Sequence, residues 1–88
     1  MIYVDSLKIP WRSILWCHMV SDQGADELKA FAKRIGLNPN HIQNEGTSRQ
    51  HFDLCKRYHD AAISKGAIEV STRELYLKAR EGWNNERE

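Results

Sequence analysis

Two histidines and three aspartates are the side chains of this sequence best suited to chemistry: His18, His51, Asp5, Asp22 and Asp53. Neutral imidazole and carboxylate together can hold a divalent ion, and such an ion can activate water. The metal set read from them is His18 and His51 as nitrogen ligands, with carboxylate help from Asp5, Asp22 or Asp53, Asp5 first. Their spacing matches no established metal signature, and no Cys-x-x-Cys occurs, which excludes a zinc ribbon or a thioredoxin-like motif. A second chemistry is anion binding. Ser21, Ser71, Thr72, Arg73 and Arg12 could donate hydrogen bonds to a phosphate, although the chain has neither a P-loop nor G-x-G-x-x-G. Plain structural roles compete with both readings. Asp53, Ser71 and one of Ser21 or Asp22 serve as helix caps, His18 as a buried histidine bonded to a carbonyl, and Arg12 as a solvated side chain. Asp5, ending a short strand, has only a turn role as its alternative.

These residues need elements to position them. Ile2-Tyr3-Val4 is β-branched and aromatic and predicts a strand, and residues 6–13, containing Pro10, predict a loop. Residues 14–20 predict a second strand in which only His18 interrupts the apolar run on either face. Such a strand is central, with helices on both sides. Ser21 or Asp22 then caps a helix whose stripe is Leu28, Phe31, Ala32 and Ile35, stopped by Gly36. Residues 44–50, NEGTSRQ, form a polar, mobile loop. Asp53 caps a second helix with Leu54, Tyr58, Ala61 and Ala62 inward, closed by Gly66. His51 and Asp53 reach one site because the chain turns into that helix between them. Residues 67–70 predict a third strand. Ser71-Thr72-Arg73-Glu74 reads as a capping box, with Val70 and Leu75 as its hydrophobic staple.

Strands separated by helices predict an α/β fold: a small, mostly parallel sheet of three or four strands with helices packed on it. Residues 1–82 form one domain and 83–88 a frayed tail. In a parallel sheet, ligands sit beyond the carboxyl ends of the strands. Asp5, Ser21, Asp22, Ser71 and Arg73 fall there, with His18, His51 and Asp53 close by. The helix N-termini near 22, 53 and 71 would then share one rim and favour an anion.

Composition narrows the class. Thirteen Lys and Arg against twelve Asp and Glu give a net charge of +1, so bulk charge favours neither nucleic acid nor a membrane surface. No run of apolar residues is long enough to span a bilayer, and the opening MIYVDSLKIP lacks a basic segment followed by an apolar one. A cytoplasmic protein without membrane contact is expected, with Cys17 and Cys55 as reduced, buried thiols.

Tyr3-Val4-Asp5, Trp11-Arg12, Trp16 with His18, Ser21-Asp22, Glu27-Leu28, Phe31-Ala32, Ile35-Gly36-Leu37, His51-Phe52-Asp53, Gly66-Ala67 and Ser71 with Arg73-Glu74 together resemble one family. It is the domain of unknown function 4031 family of short bacterial and phage proteins. The resemblance implies a shared fold and brings no activity with it. It makes a phage origin plausible. NEGTSRQ is longer than the connection such proteins usually have before the H-(F/Y)-D element, so a ligand or partner particular to this chain is implied if that loop borders the site.

Three functions compete. The first is a binding module for a phosphate-bearing ligand, a nucleotide or nucleic-acid end, at the strand-end rim through Asp5, Arg12, His18, Ser21, Asp22, His51, Asp53, Ser71 and Arg73. The second is a metal-dependent hydrolase or phosphoesterase with a divalent ion in the His/Asp cluster. The third is a phage accessory protein acting only through protein contacts, anchored by the tryptophans and the 44–50 loop.

Overall fold

The computed structural model describes residues 1–87. Its elements are β1 (Ile2–Val4), β2 (Ile9–Trp11), β3 (Ile14–Ser21), α1 (Ala25–Arg34), a 3-10 turn (Pro39–His41), β4 (Phe52–Cys55), α2 (Lys56–Ser64), β5 (Ile68–Glu69) and α3 (Thr72–Glu86).

The fold is α/β, but the sheet is mixed and has five strands, not a mostly parallel set of three or four. β3 is its axis. β1 and β2 both pair antiparallel with β3, and β4 pairs antiparallel with its other edge. Only β1 and β5 are parallel. The segment read as a loop, 6–13, contains β2 and a two-residue hairpin turn. Trp11 pairs with Ile14, and Arg12 and Ser13 both have positive φ, 51° and 66°. That is the backbone of the turn which best joins twisted strands, usually built from Asn and Gly. Arg-Ser carries no such signature, and Pro10 is tolerated because β2 is an edge strand.

β1 and β2 lie along the same edge of β3 but are not in continuous register. Val4 faces Met19 and Ile9 faces Trp16. Residues 5–8 on one arm therefore oppose only Cys17 and His18 on the other. This is a bulge, which re-aims side chains locally. The Asp5 and Lys8 N–H groups still bond the His18 and Trp16 carbonyls.

Alternation along the strands sorts the core into two faces. Ile2, Val4, Cys17, Met19, Phe52 and Leu54 pack with Leu28, Phe31 and Ala32 of α1 and Ala62 of α2. Tyr3 and Val20 pack on the opposite face with Leu75 and Ala79 of α3. Helices thus cover both faces, but α3 alone covers the second.

The helix ends hold further differences. Asp53 caps nothing: it lies inside β4, and α2 follows directly with Cys55 as a cap residue lacking a side-chain bond. Ser21 and Asp22 precede α1, whose cap residue is Gly24. The Ser21 hydroxyl accepts the N–H groups of Gln23 and Gly24, and the Glu86 carboxylate accepts that of Ala25. α3 therefore runs on through Glu86, past 83, where fraying is predicted. Asn85 adds a bond to the Gln23 carbonyl. Gly36 does stop α1, in the left-handed region at φ 92°, which lets the Leu37 N–H reach back to the Ala32 carbonyl. Ser71 caps α3 by accepting the Glu74 N–H at 3.1 Å. Among the described residues, the reciprocal bond from the Glu74 carboxylate is not made.

Candidate metal centre

His18 and Asp53 are direct partners across β3 and β4, so their side chains leave the sheet on the same face. His51 precedes Asp53 by two residues and shares that face by simple alternation. No turn into a helix is involved. His51 is held to Gln43 by a two-bond bridge that closes the 44–50 loop. The bulge delivers Asp5 to the same place. The part of the sheet beside the start of α3 thus carries Asp5, His18, His51 and Asp53 together.

Asp5 is fully buried. Its Oδ1 accepts the His18 backbone N–H at 2.6 Å; its Oδ2 lies 3.0 Å from His18 Nδ1 and accepts the Thr72 hydroxyl at 2.9 Å. Burial pushes this carboxyl up, but the His18 ring, the His18 N–H and Thr72 outweigh it and hold it below the ordinary carboxylate range. An ionised Asp5 can only accept, so His18 Nδ1 is the donor in this pair and Nε2 is the ring nitrogen turned away from Asp5.

His51 is arranged the same way by a different acceptor. Its Nδ1 donates to the Arg49 carbonyl at 2.7 Å, and its Nε2 lies 3.3 Å from Asp53 Oδ1. Burial lowers its affinity for a second proton, but Asp53 and the Arg49 carbonyl overcome this and raise its pKa above the usual histidine value. Asp53 is held low chiefly by the His51 hydrogen bond, against a smaller opposing effect of burial. The proton that binds between His51 and Asp53 marks a place where positive charge is favoured.

His18, His51 and Asp53 each offer one ligand atom, and these atoms all lie within 4.8 Å of one another. The two imidazole rings meet edge to face with centroids 5.3 Å apart, and the Tyr76 ring stands 6.3 Å from His18. Side-chain exposures of 14%, 19% and 48% for His18, His51 and Asp53 leave the group reachable from solvent. A cleft of about 370 Å³, lined by Ile9, Pro10, Trp11, Trp16, His18 and Asp53, opens beside it.

The remaining candidates lie elsewhere. Because β3 runs antiparallel to β1, its end at Ser21 lies at the opposite end of β1 from Asp5, paired with Ile2. Ser21 bonds Glu27, and Asp22 bonds the Met1 amino group and the Tyr3 hydroxyl. The common rim does not form. α1 starts at the Ser21 end and α3 beside Asp5, so the helix N-termini do not converge. Ser71 is occupied as a cap. Arg73 is exposed and belongs to none of the ion pairs among the described residues. Arg12 sits in the hairpin turn with its guanidinium carbon 4.6 Å from the centre of the Trp11 ring. Asp5 stands behind the cluster, bonded to His18, and is not among its three facing ligand groups. Thr72, read from the sequence as an anion donor, instead bonds Asp5; the Arg49 carbonyl and Tyr76 also belong to this neighbourhood and carry no sequence signal of their own.

A mixed five-stranded α/β sheet with a His-His-Asp group on its half-covered face defines a small domain built around one polar site. The chain belongs to the family described as Protein of unknown function (DUF4031), which matches residues 2–81. No curated protein and no solved structure matches it. Among the described residues, no helix is long and apolar enough to cross a membrane.

Proposed function

We propose that His18, His51 and Asp53 bind one divalent metal ion, and that the centre hydrolyses a phosphoester bond. The observation that carries this is the fixing of both imidazoles at Nδ1, one by the Asp5 carboxylate and one by the Arg49 carbonyl. Metal-ligating histidines characteristically donate their other N–H in this way, which sets the tautomer and ring orientation. Asp5 acts through His18 rather than on the ion. Three protein ligands leave coordination positions open, the pattern of catalytic rather than structural sites. The ligand set is imidazole and carboxylate without thiolate, which suits zinc or manganese.

An ion held there would lower the pKa of a water it binds and orient it. With His18, His51 and Asp53 holding such an ion, its water would supply the oxygen that bonds phosphorus as the ester oxygen leaves, and the water's proton would pass to the leaving group or, where that is a stable anion, to solvent. The antiparallel β1 and β3 remove the common rim on which a purely anion-binding reading rests, so the metal reading takes precedence.

The test is calorimetric titration of the full chain with zinc and with manganese at pH 7.5, followed by release of nitrophenolate from bis(p-nitrophenyl) phosphate. One ion per chain is expected, with binding and hydrolysis lost in His18→Ala and His51→Ala. Wild-type protein that takes up neither ion overturns the reading.

A further inference from the structure

We infer that the cleft beside the His-His-Asp group is the seat for a planar nucleobase, so that the bond presented to the proposed ion is the phosphoester of a nucleotide unit. This rests on the metal-centre reading and names its substrate class.

The cleft shares His18 and Asp53 with the proposed centre; its other walls are Ile9, Pro10, Trp11 and Trp16. At about 370 Å³ it lies in the lower part of the range for small-ligand sites. Trp11 is 57% exposed although it is one of the largest apolar side chains in the chain. Its ring meets Trp16 at 66° with centroids 5.9 Å apart, and Trp16 Nε1–H donates to the Trp11 carbonyl at 3.3 Å. The two indoles are thereby packed edge to face as one aromatic wall of the cleft, and the largely exposed Trp11 ring offers a surface on which a planar base can stack. A sugar alone would need several hydrogen-bonding side chains, and the cleft's polar groups are His18 and Asp53, both committed to the ion.

Charge completes the match. Arg12 lies over the Trp11 ring, a cation on the turn side of the aromatic pair that can meet a phosphate. It is held there by a turn in which two residues that are neither glycine nor asparagine adopt positive φ. Along β3 the order from the turn is Arg12, then the Trp11–Trp16 pair, then His18 with the proposed ion, so a base on the indoles has the ion on one side and the cation on the other.

The experiment uses the full chain loaded with zinc, after a zinc titration has shown the ion bound. Adenosine monophosphate, a four-nucleotide single strand and inorganic phosphate are titrated in turn, read by tryptophan fluorescence and calorimetry. Both nucleotide probes are expected to quench fluorescence and to bind more tightly than phosphate, and the tighter of the two identifies the source of the unit. Trp11→Ala should weaken the nucleotide probes by about tenfold or more, the size of one lost stacking contact. It should leave zinc and inorganic phosphate binding unchanged, and Trp11→Phe should restore most of the loss. If zinc binds but nucleotides bind no better than phosphate, or Trp11→Ala binds them like wild type, the base seat is overturned while the metal reading stands. If zinc does not bind, the metal reading fails and the nucleotide inference fails with it.

Discussion

Asp5 is the residue on which the polar group turns. A carboxylate removed from water is strongly unfavourable unless its lone pairs are satisfied, and here His18 and Thr72 supply three donors. Asp5→Asn keeps the size but removes the charge that keeps the His18 proton on Nδ1. Zinc affinity should fall by about 10–100-fold, the usual consequence of losing such a partner. A pH signature accompanies it. Because the folded pKa of Asp5 lies below its unfolded value near 3.8, its stabilisation is present above that pH and lost as pH falls through the folded value. Urea midpoints measured from pH 7 down to pH 3 should therefore fall less steeply in Asp5→Asn than in wild type; equal slopes refute the assignment. Asp5, His18, His51 and Asp53 were legible as candidates by residue type, although they were grouped with Ser21 and Asp22 on a strand-end rim that does not form. The reason for their meeting was not legible, since it depends on cross-strand register and a bulge. Thr72 was legible only as a donor to an anion; its bond to Asp5 was not, because the two lie 67 residues apart.

Where elements meet, the close approach of α3 to the end of β3 depends on one residue. Gly82 is buried in the middle of α3, and a Cβ there would overlap the Ser21 carbonyl oxygen. In an exposed helix interior, Gly→Ala gains about 1 kcal/mol from helix propensity. Overpacking typically costs about 1–3 kcal/mol, and the obstruction here is backbone, so the cost wins. Gly82→Ala should lower stability in chemical denaturation, whereas a rise would mean that α3 moves away freely. Ser71→Ala should also lower it, by about 0.5–2 kcal/mol, without touching the packing. The Ser71 cap could be read from the chain because it is local. The β2–β3 hairpin could not, because its turn uses Arg12-Ser13 in place of Asn-Gly. β4 was hidden because an aspartate ahead of a helical stripe looks like a cap. The last turn of α3 looked frayed because its partners, the Ala25 N–H and the Gln23 carbonyl, lie some sixty residues away in sequence.

At the scale of the whole molecule, protons and metal compete for one group, and folding stability reports the competition. In metal-free protein His51 has a folded pKa above its unfolded value of 6.5. Its contribution is then fully present below about pH 6.5 and lost as pH rises through the folded value. Asp53, held low by His51, contributes above its unfolded pKa near 3.8 and loses that contribution as pH falls through the folded one. Metal reverses the upper limb. Ligating imidazoles must be free of the second proton, so ion binding strengthens as pH rises through the His51 range. At a free zinc concentration about 100 times Kd, mass action adds about 2.7 kcal/mol. For a chain of this size that corresponds to a melting shift of roughly 10–20 °C. The shift should be large at pH 8, small at pH 6, and absent at both in the His18→Ala, His51→Ala double variant. A site that held an anion through protonated histidines would show the opposite trend, with phosphate raising the melting temperature more at pH 6 than at pH 8. Thermal scans at the two pH values, with zinc and separately with phosphate, thus separate the two chemistries by sign, and a phosphate-only shift that grows in acid would replace the metal centre with an anion site on the same two imidazoles.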